Sequence, residues 1–195
     1  MSEQFATAAP QTGERLLCCL DPILRHTWEL SSEQRRAIRE LMDIAFRGDF
    51  DDADFDHALG GIHVIVDDGA RGVVGHASVV QRQLLVDGRP LRAGYVEAVA
   101  VHPDQGRRGI GGAVMAAIET VIAGAYDLGA LSASEQGAGL YRRRGWRVWS
   151  GELGVLAPEG YRTTPGDVGS VMVWGAGVID LSGSLACDWR AGPLW

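Results

Sequence analysis

Apolar and polar positions alternate with period two from Ile23 to Trp28, which predicts a short strand. The period then lengthens. Ala37, Ile38, Leu41, Ile44 and Ala45 fall on one face behind a Ser31…Gln34 pair with the form of a capping box, so a helix starts just past Ser31. The acidic segment 49–57 reads as a loop or a short second helix. From Ile62 a three-strand meander follows, turning at Asp68-Gly69 and Asp87-Gly88, and Tyr95–Val101 closes that sheet. Ile110, Val114, Ala117, Ile118 and Val121 mark another helix face. Leu128–Ser132 reads as a fifth strand and Glu135–Arg143 as a helix. Trp146–Leu156 and Ser170–Trp174 read as further strands, separated by a mobile loop rich in Gly, Thr and Pro over Gly160–Gly169. Residues 1–22 show no periodicity and predict a poorly ordered extension before one domain over 23–195. The predicted class is α/β, a mixed, mostly antiparallel sheet with helices on its faces.

Bulk properties narrow the function classes. A chain of 195 residues with 46% hydrophobic and 22% charged content is that of an ordinary soluble domain. No apolar run reaches the length of a membrane helix, and Leu16–Leu24 is broken by Asp21 and Pro22 without a basic leader. The expectation is a cytoplasmic protein with no membrane partner. Cys18 and Cys19 are adjacent and Cys187 stands alone, a pattern without metal or redox spacing. The five histidines, His26, His57, His63, His76 and His102, show no ligand spacing, so no metal site is expected. A net charge of −7 argues against nucleic acid and favours a cationic ligand if acids cluster in a cleft. They bunch in sequence at Asp49, Asp51, Asp52, Asp54 and Asp56.

The candidate chemistry begins after the apolar run ending at Val101. The chain breaks at Pro103 into a loop of glycines and arginines, Gly106-Arg107-Arg108-Gly109-Ile110-Gly111-Gly112, that opens into a helix. Such a loop presents unpaired N–H groups and the positive helix end to a pyrophosphate. It lacks the Lys-Ser/Thr of a Walker loop and the spacing of a dinucleotide fingerprint. Strand alternation sets Tyr95, Glu97, Val99 and Val101 on one face, and a carboxylate inside so apolar a strand is unusual.

The strand, Pro-x-x-x-Gly-Arg-Arg-Gly-Ile-Gly loop and helix resemble the acetyl-CoA-binding core of the GCN5-related N-acetyltransferases. Gly139-Leu140-Tyr141-Arg142-Arg143-Arg144-Gly145-Trp146 resembles that family's second marker. Phe46-Arg47-Gly48-Asp49-Phe50, Leu59-Gly60-Gly61-Ile62-His63, Gly94-Tyr95-Val96-Glu97 and Cys187-Asp188-Trp189-Arg190-Ala191-Gly192 resemble the branch of aminoglycoside 2′-N-acetyltransferases, from about residue 23 onward. The resemblance implies a sheet splayed between its fourth and fifth strands. It implies a pantetheine arm along Val99, Ala100 and Val101, and a pyrophosphate held by Gly106, Arg107, Arg108, Gly109, Ile110 and Gly111. Its place in the strand makes Glu97 the candidate general base, acting through water if that face borders a cleft, and the resemblance makes Tyr141 the general acid toward the departing thiolate. Backbone N–H groups near Val99 would hold the oxyanion. Asp49, Asp54, Glu97, Ala98, Ser132, Asp167 and Trp195, the last through an α-carboxylate, match the branch's acceptor-binding positions. Pro193 stands where relatives can carry an acid, and Ala98 where they carry glycine. Dimers are common among such proteins, so a homodimer is expected.

Two other readings fit the same residues: acetylation of a different amine, such as a cell-wall amino sugar, polyamine or protein, and a non-catalytic acyl-CoA or drug binder. Trp28, Trp146, Trp149, Trp174 and Trp189 read as core or interface packing, and Arg142–Arg144 as a solvated helix face.

Overall fold

The computed structural model describes residues 21–175, 177 and 179–195. All but the last two residues of the expected N-terminal extension, with Cys18 and Cys19, lie outside them. Ten strands and four α-helices form among the described residues. They are β1 (Ile23–His26), α1 (Ser32–Ala45), α2 (Asp52–His57), β2 (Ile62–Asp67), β3 (Val73–Val86), β4 (Arg89–Val101), α3 (Ile110–Ala125), β5 (Leu128–Ser132), α4 (Ala138–Arg143), β6 (Arg147–Val148), β7 (Leu153–Ala157), β8 (Gly160–Thr163), β9 (Val171–Trp174) and β10 (Leu185–Asp188).

One mixed sheet runs β6-β9-β5-β4-β3-β10-β7-β8, with β2 and then β1 added on β3. β4 is antiparallel to β3 along most of its length, and the β4–β5 and β10–β7 pairs are parallel. α1 starts at the predicted cap: the Ser31 hydroxyl accepts from Gln34 N–H and the Gln34 side chain accepts from Ser31 N–H. It buries Ile38, Leu41 and Met42 with Phe50, Ala98 and Ala100 on one face of the sheet, whereas Ile44, predicted to face inward, points out. α3 covers the other face through Ile110, Val114, Met115, Ile118 and Ile122, against Val66, Val79 and Val96. A third cluster, with Leu84, Tyr95, Trp149, Leu153, Val173 and Trp195, fills the C-terminal half.

Several expectations are corrected. Trp146–Leu156 is two strands, because Ser150 and Gly151 leave the ladder to donate both N–H groups to Leu181 O. A Cβ on Gly151 would collide with the backbone of Ser182 and Gly183, so only glycine permits that approach. The predicted mobile loop over 160–169 holds a strand, β8, and a helical turn, Pro165–Asp167. The helix predicted from Glu135 begins at Ala138, after a turn in which Ser134 accepts from Gly137 and Ala138 N–H. Trp146 and Trp149 are core residues, but Trp28 and Trp189 lie on the surface.

Candidate active site

Past Val101 the chain makes a helical turn at Pro103–Gln105, and Arg107 (φ 61°) and Gly109 (φ 86°) swing it into α3. Gly109 caps α3 with no side chain to bond the first-turn amides, so these project outward at the positive end of a 16-residue helix. Gly111 packs against Leu140 and Val101: a Cβ there would sit 3.3 and 3.5 Å from their methyl carbons. Arg107 has no ion-pair partner among the described residues. Arg108 is tied to the side chain of Gln105, which is itself buried. This geometry fits a diphosphate: open amides on a positive-φ loop beside one uncommitted guanidinium.

The strand leading in fits an extended acyl arm. β4 pairs with β5 only through Ala93–Leu128, Gly94–Gly129 and Tyr95–Ala130. β5 then continues against β9 through Leu131 and Ser132, so the two parallel strands splay and Glu97–Val101 keep an unpaired edge.

The predicted single face of Tyr95, Glu97, Val99 and Val101 does not occur. The register against β3 slips between His76↔Ala100 and Ser78↔Glu97, which places Ala98 and Val99 opposite Ala77 alone, and Ala98 takes a left-handed φ of 49°. This is a β-bulge. It exchanges the faces: Val96, Val99 and Val101 pack with α3, and Ala98 and Ala100 with α1. Alternation cannot reveal an inserted residue, because one extra residue flips everything after it.

Glu97 just precedes the bulge and is mostly buried. Its Oε1 accepts from Arg190 Nη1 at 2.5 Å, with both side chains about one-seventh exposed (15% and 14%). Oε2 has no partner among the described residues. Arg190 lies over the Tyr95 ring at 5.4 Å, and Arg82 over the same ring at 4.7 Å. Arg82, only 4% exposed, donates to Asp188 Oδ1, Asp188 O and Leu194 O at 2.7–2.8 Å. Burial drives the Tyr95 hydroxyl upward in pKa, and neither that hydroxyl nor Ser78 Oγ, cross-strand from Glu97, has a partner among the described residues. Segment 188–195 is thus strapped across the sheet beside the carboxylate. Sequence reasoning assigned no role to Arg82, Asp188 or Arg190. The one available signal was the buried-strand position of Arg82 between Val80 and Leu84.

Tyr141 sits on α4 with its ring packed at 6.2 Å from Trp146. Burial pushes its hydroxyl up to about 12, so it is protonated at neutral pH. That hydroxyl makes no hydrogen bond among the described residues, although the ring is 6% exposed. Arg144 is not a solvated residue as predicted: it grips Glu119 with Nε at 2.8 Å and Nη2 at 2.6 Å, while Trp146 Nε1 donates to Glu119 at 2.9 Å. The clamp fixes α4 on α3.

The proposed acceptor residues fall in two groups, each on a part of the chain that the strap touches. On one side Asp54 closes a capping box with Asp51 at the start of α2, and Asp49 is exposed on the preceding loop. The strap packs there: His57 Nε2 meets Ala191 O at 2.7 Å, and a Cβ on Gly192 would lie 3.1 Å from that of Ala53. On the other side Ser132 Oγ donates to Ser170 Oγ, which donates to Asp167 O. Trp195 is buried and its Nε1 donates to Thr164 Oγ1 at 2.9 Å, three residues before Asp167. Segment 188–195 therefore touches both Glu97 and the α2 helix that carries Asp54, and it ends at the buried Trp195.

An acetyltransferase (GNAT) domain family matches residues 29–149. The chain belongs to the GCN5-related N-acetyltransferase family. It is 46% identical over 178 residues to an aminoglycoside 2′-N-acetyltransferase of Mycolicibacterium fortuitum, covering 88% of this chain and 90% of that one. Among solved structures it resembles Eis1 of Mycobacterium abscessus (25% identity, TM-score 0.55, 66% of this chain), of which it spans only 32%. It shares its fold with a GNAT acetyltransferase of Brucella melitensis solved with acetyl-CoA (16% identity, TM-score 0.56, 88% and 97% covered). This chain is thus an α/β acetyltransferase of the GNAT fold.

Proposed function

We propose that this acetyltransferase uses acetyl-CoA to acetylate the 2′-amine of aminoglycoside antibiotics, and that the loss of a drug charge confers resistance. The observation that carries the reading is the place of Glu97: a mostly buried carboxylate at the bulge where the unpaired edge of β4 begins, four residues before that strand ends at Val101 and leads into the phosphate-binding loop. The 46%-identical relative's name supplies the acceptor. Acetyl-CoA supplies the acetyl group activated as a thioester.

The residues of the chain divide the remaining work. Val99, Ala100 and Val101 offer backbone hydrogen bonds to the pantetheine arm, and the Gly106–Gly111 amides with Arg107 hold the diphosphate. Asp49, Asp54 and Asp167 draw a polyammonium sugar over the strap. Glu97, oriented by Arg190, takes the amine's proton through a water at its open Oε2. Tyr141, protonated at neutral pH, returns a proton to the departing sulfur.

The test is thiol release from acetyl-CoA with an aminoglycoside bearing both 2′- and 6′-amines, followed by NMR of the product. Acetyl on the 2′-nitrogen is expected. Absence of release, or modification at the 6′-nitrogen, overturns the reading.

A further inference from the structure

Two buried histidines stand behind the bulge, and neither has a place in the chemistry above. His76 on β3 and His63 on β2 are both 0% exposed, with Nδ1 of His63 2.9 Å from Nε2 of His76. Nδ1 of His76 lies 2.8 Å from Ala98 O, and Nε2 of His63 lies 2.8 Å from Thr27 Oγ1. The direction of this chain of bonds can be deduced. A carbonyl only accepts, so His76 Nδ1 carries a proton. Burial keeps both rings neutral, pushing His76 down to about 3 and His63 to about 4. His76 Nε2 is therefore an acceptor and His63 Nδ1 donates to it. His63 Nε2 in turn faces the Thr27 hydroxyl, whose proton it shares with Gly61 O at 3.2 Å and whose oxygen accepts from Gly60 N–H at 2.8 Å. Every donor in this chain of bonds points toward the bulge.

The bulge needs such a tether. Ala98 is not glycine, yet it holds a left-handed φ, a conformation that persists only when its surroundings impose it. The consequence for the site follows from peptide geometry. Ala98 C=O and Val99 N–H belong to one planar unit, and no peptide bond among the described residues is cis. They point in opposite directions. A carbonyl pinned toward β3 turns the Val99 N–H toward the other edge of β4, where β4 and β5 splay.

We propose that His76 is a positioning residue for acetyl transfer: its Nδ1–H bond to Ala98 O fixes the bulge, and so aims Val99 N–H at the developing oxyanion and sets Glu97 beside it. The role rests on the acetyl-transfer reading above, although the orientation of the 98–99 peptide does not.

Two amide replacements separate the halves of the network. The amide nitrogen of Asn occupies the place of His Nδ1, and the amide oxygen of Gln takes the place of Nε2, where it accepts from His63 Nδ1–H. His76→Asn keeps the bond to Ala98 and loses the one to His63, and His76→Gln does the reverse. With saturating acetyl-CoA, His76→Gln is expected to lower kcat by about 10²-fold, the scale of a 1 Å misplacement, with the acetyl-CoA Kd from calorimetry unchanged. His76→Asn keeps most of the rate. Amide 15N–1H shifts of Glu97, Ala98 and Val99 in the ligand-free protein move in the Gln variant and stay near wild type in the Asn variant. That readout decides the orientation claim even where wild type acetylates none of the amines tried, the result that would sink the function but not the tether. Equal loss in both variants, a faster Gln than Asn variant, or unmoved shifts in His76→Gln overturns the proposal.

Discussion

The Tyr141 hydroxyl has no hydrogen-bond partner among the described residues, so removing it breaks no bond in the ligand-free protein. Tyr141→Phe should lower kcat by about 10²–10⁴-fold, the range for one acid–base group, without lowering Tm. An active Phe variant would remove Tyr141 from the acid role. Its pKa near 12 also means that the alkaline limb of a rate profile, up to pH 10, reports some other group. Ala98 makes the opposite case, a side chain in a conformation that favours none. A left-handed alanine costs about 1–2 kcal/mol, and glycine's greater unfolded-state entropy returns part of that on substitution. Ala98→Gly should therefore raise stability by up to about 1 kcal/mol, read as a higher urea midpoint; a lower midpoint would mean that the bulge is not strained. His63 and His76 carry a third expectation. Both are neutral when folded, at about 4 and about 3, and take up protons near 6.5 when unfolded. Between those limits the unfolded chain binds more protons, so stability is full above pH 6.5 and falls as pH drops toward 4. Each histidine adds a slope of about 1.4 kcal/mol per pH unit in that window, and His76→Asn should flatten it.

At the level of elements, the strap, which leaves β10 at Asp188 and runs to Trp195, has no regular structure beyond that residue and depends on what it is tied to. Arg82 satisfies two of its carbonyls and one carboxylate from inside the sheet. Arg82→Ala leaves those acceptors without their buried donor and should cost about 3 kcal/mol, with the acceptor KM rising more than the acetyl-CoA Kd. Equal effects on both ligands would mean that the strap does not border the acceptor site. These are also the contacts that sequence could not show. The elements with strong local signals were legible: Ser31 and Gln34 mark the start of α1, Asp87-Gly88 the β3–β4 hairpin, and the Gly109 turn the start of α3. Glu97 and Tyr141 were found as residues, through motifs spanning a few positions. The partner of Glu97 lies 93 positions away at Arg190, and no periodicity records such a pairing. The bulge was hidden for a related reason, since Ala98 looks like any small strand residue and its φ is set by His76 across the sheet. β10 escaped because its four residues pair with β3 and β7, both distant in sequence.

Over the whole molecule, 25 acidic residues against 18 basic ones give a field that acts on any charged ligand before contact. The two substrates of the proposed reaction carry opposite charge, which makes salt a discriminating variable. In the proposed reaction a polyammonium acceptor is drawn by the net charge of −7 and by the carboxylates assigned to it, Asp49, Asp54 and Asp167, and all of these attractions weaken as the Debye length falls from about 10 Å at 0.1 M to about 3 Å at 1 M. The anionic coenzyme feels the reverse far field. For it, salt screens the repulsion of the whole surface as well as the local attraction of Arg107 and the α3 amides, so the two effects offset. Raising KCl across this range should therefore depress kcat/KM for the acceptor several-fold while that for acetyl-CoA changes little. The measurement is a pair of salt titrations, each with the other substrate saturating. Parallel decline of the two constants would point to general inhibition by salt, and an acceptor constant that does not fall would mean that recognition of the amine rests on shape rather than on these carboxylates.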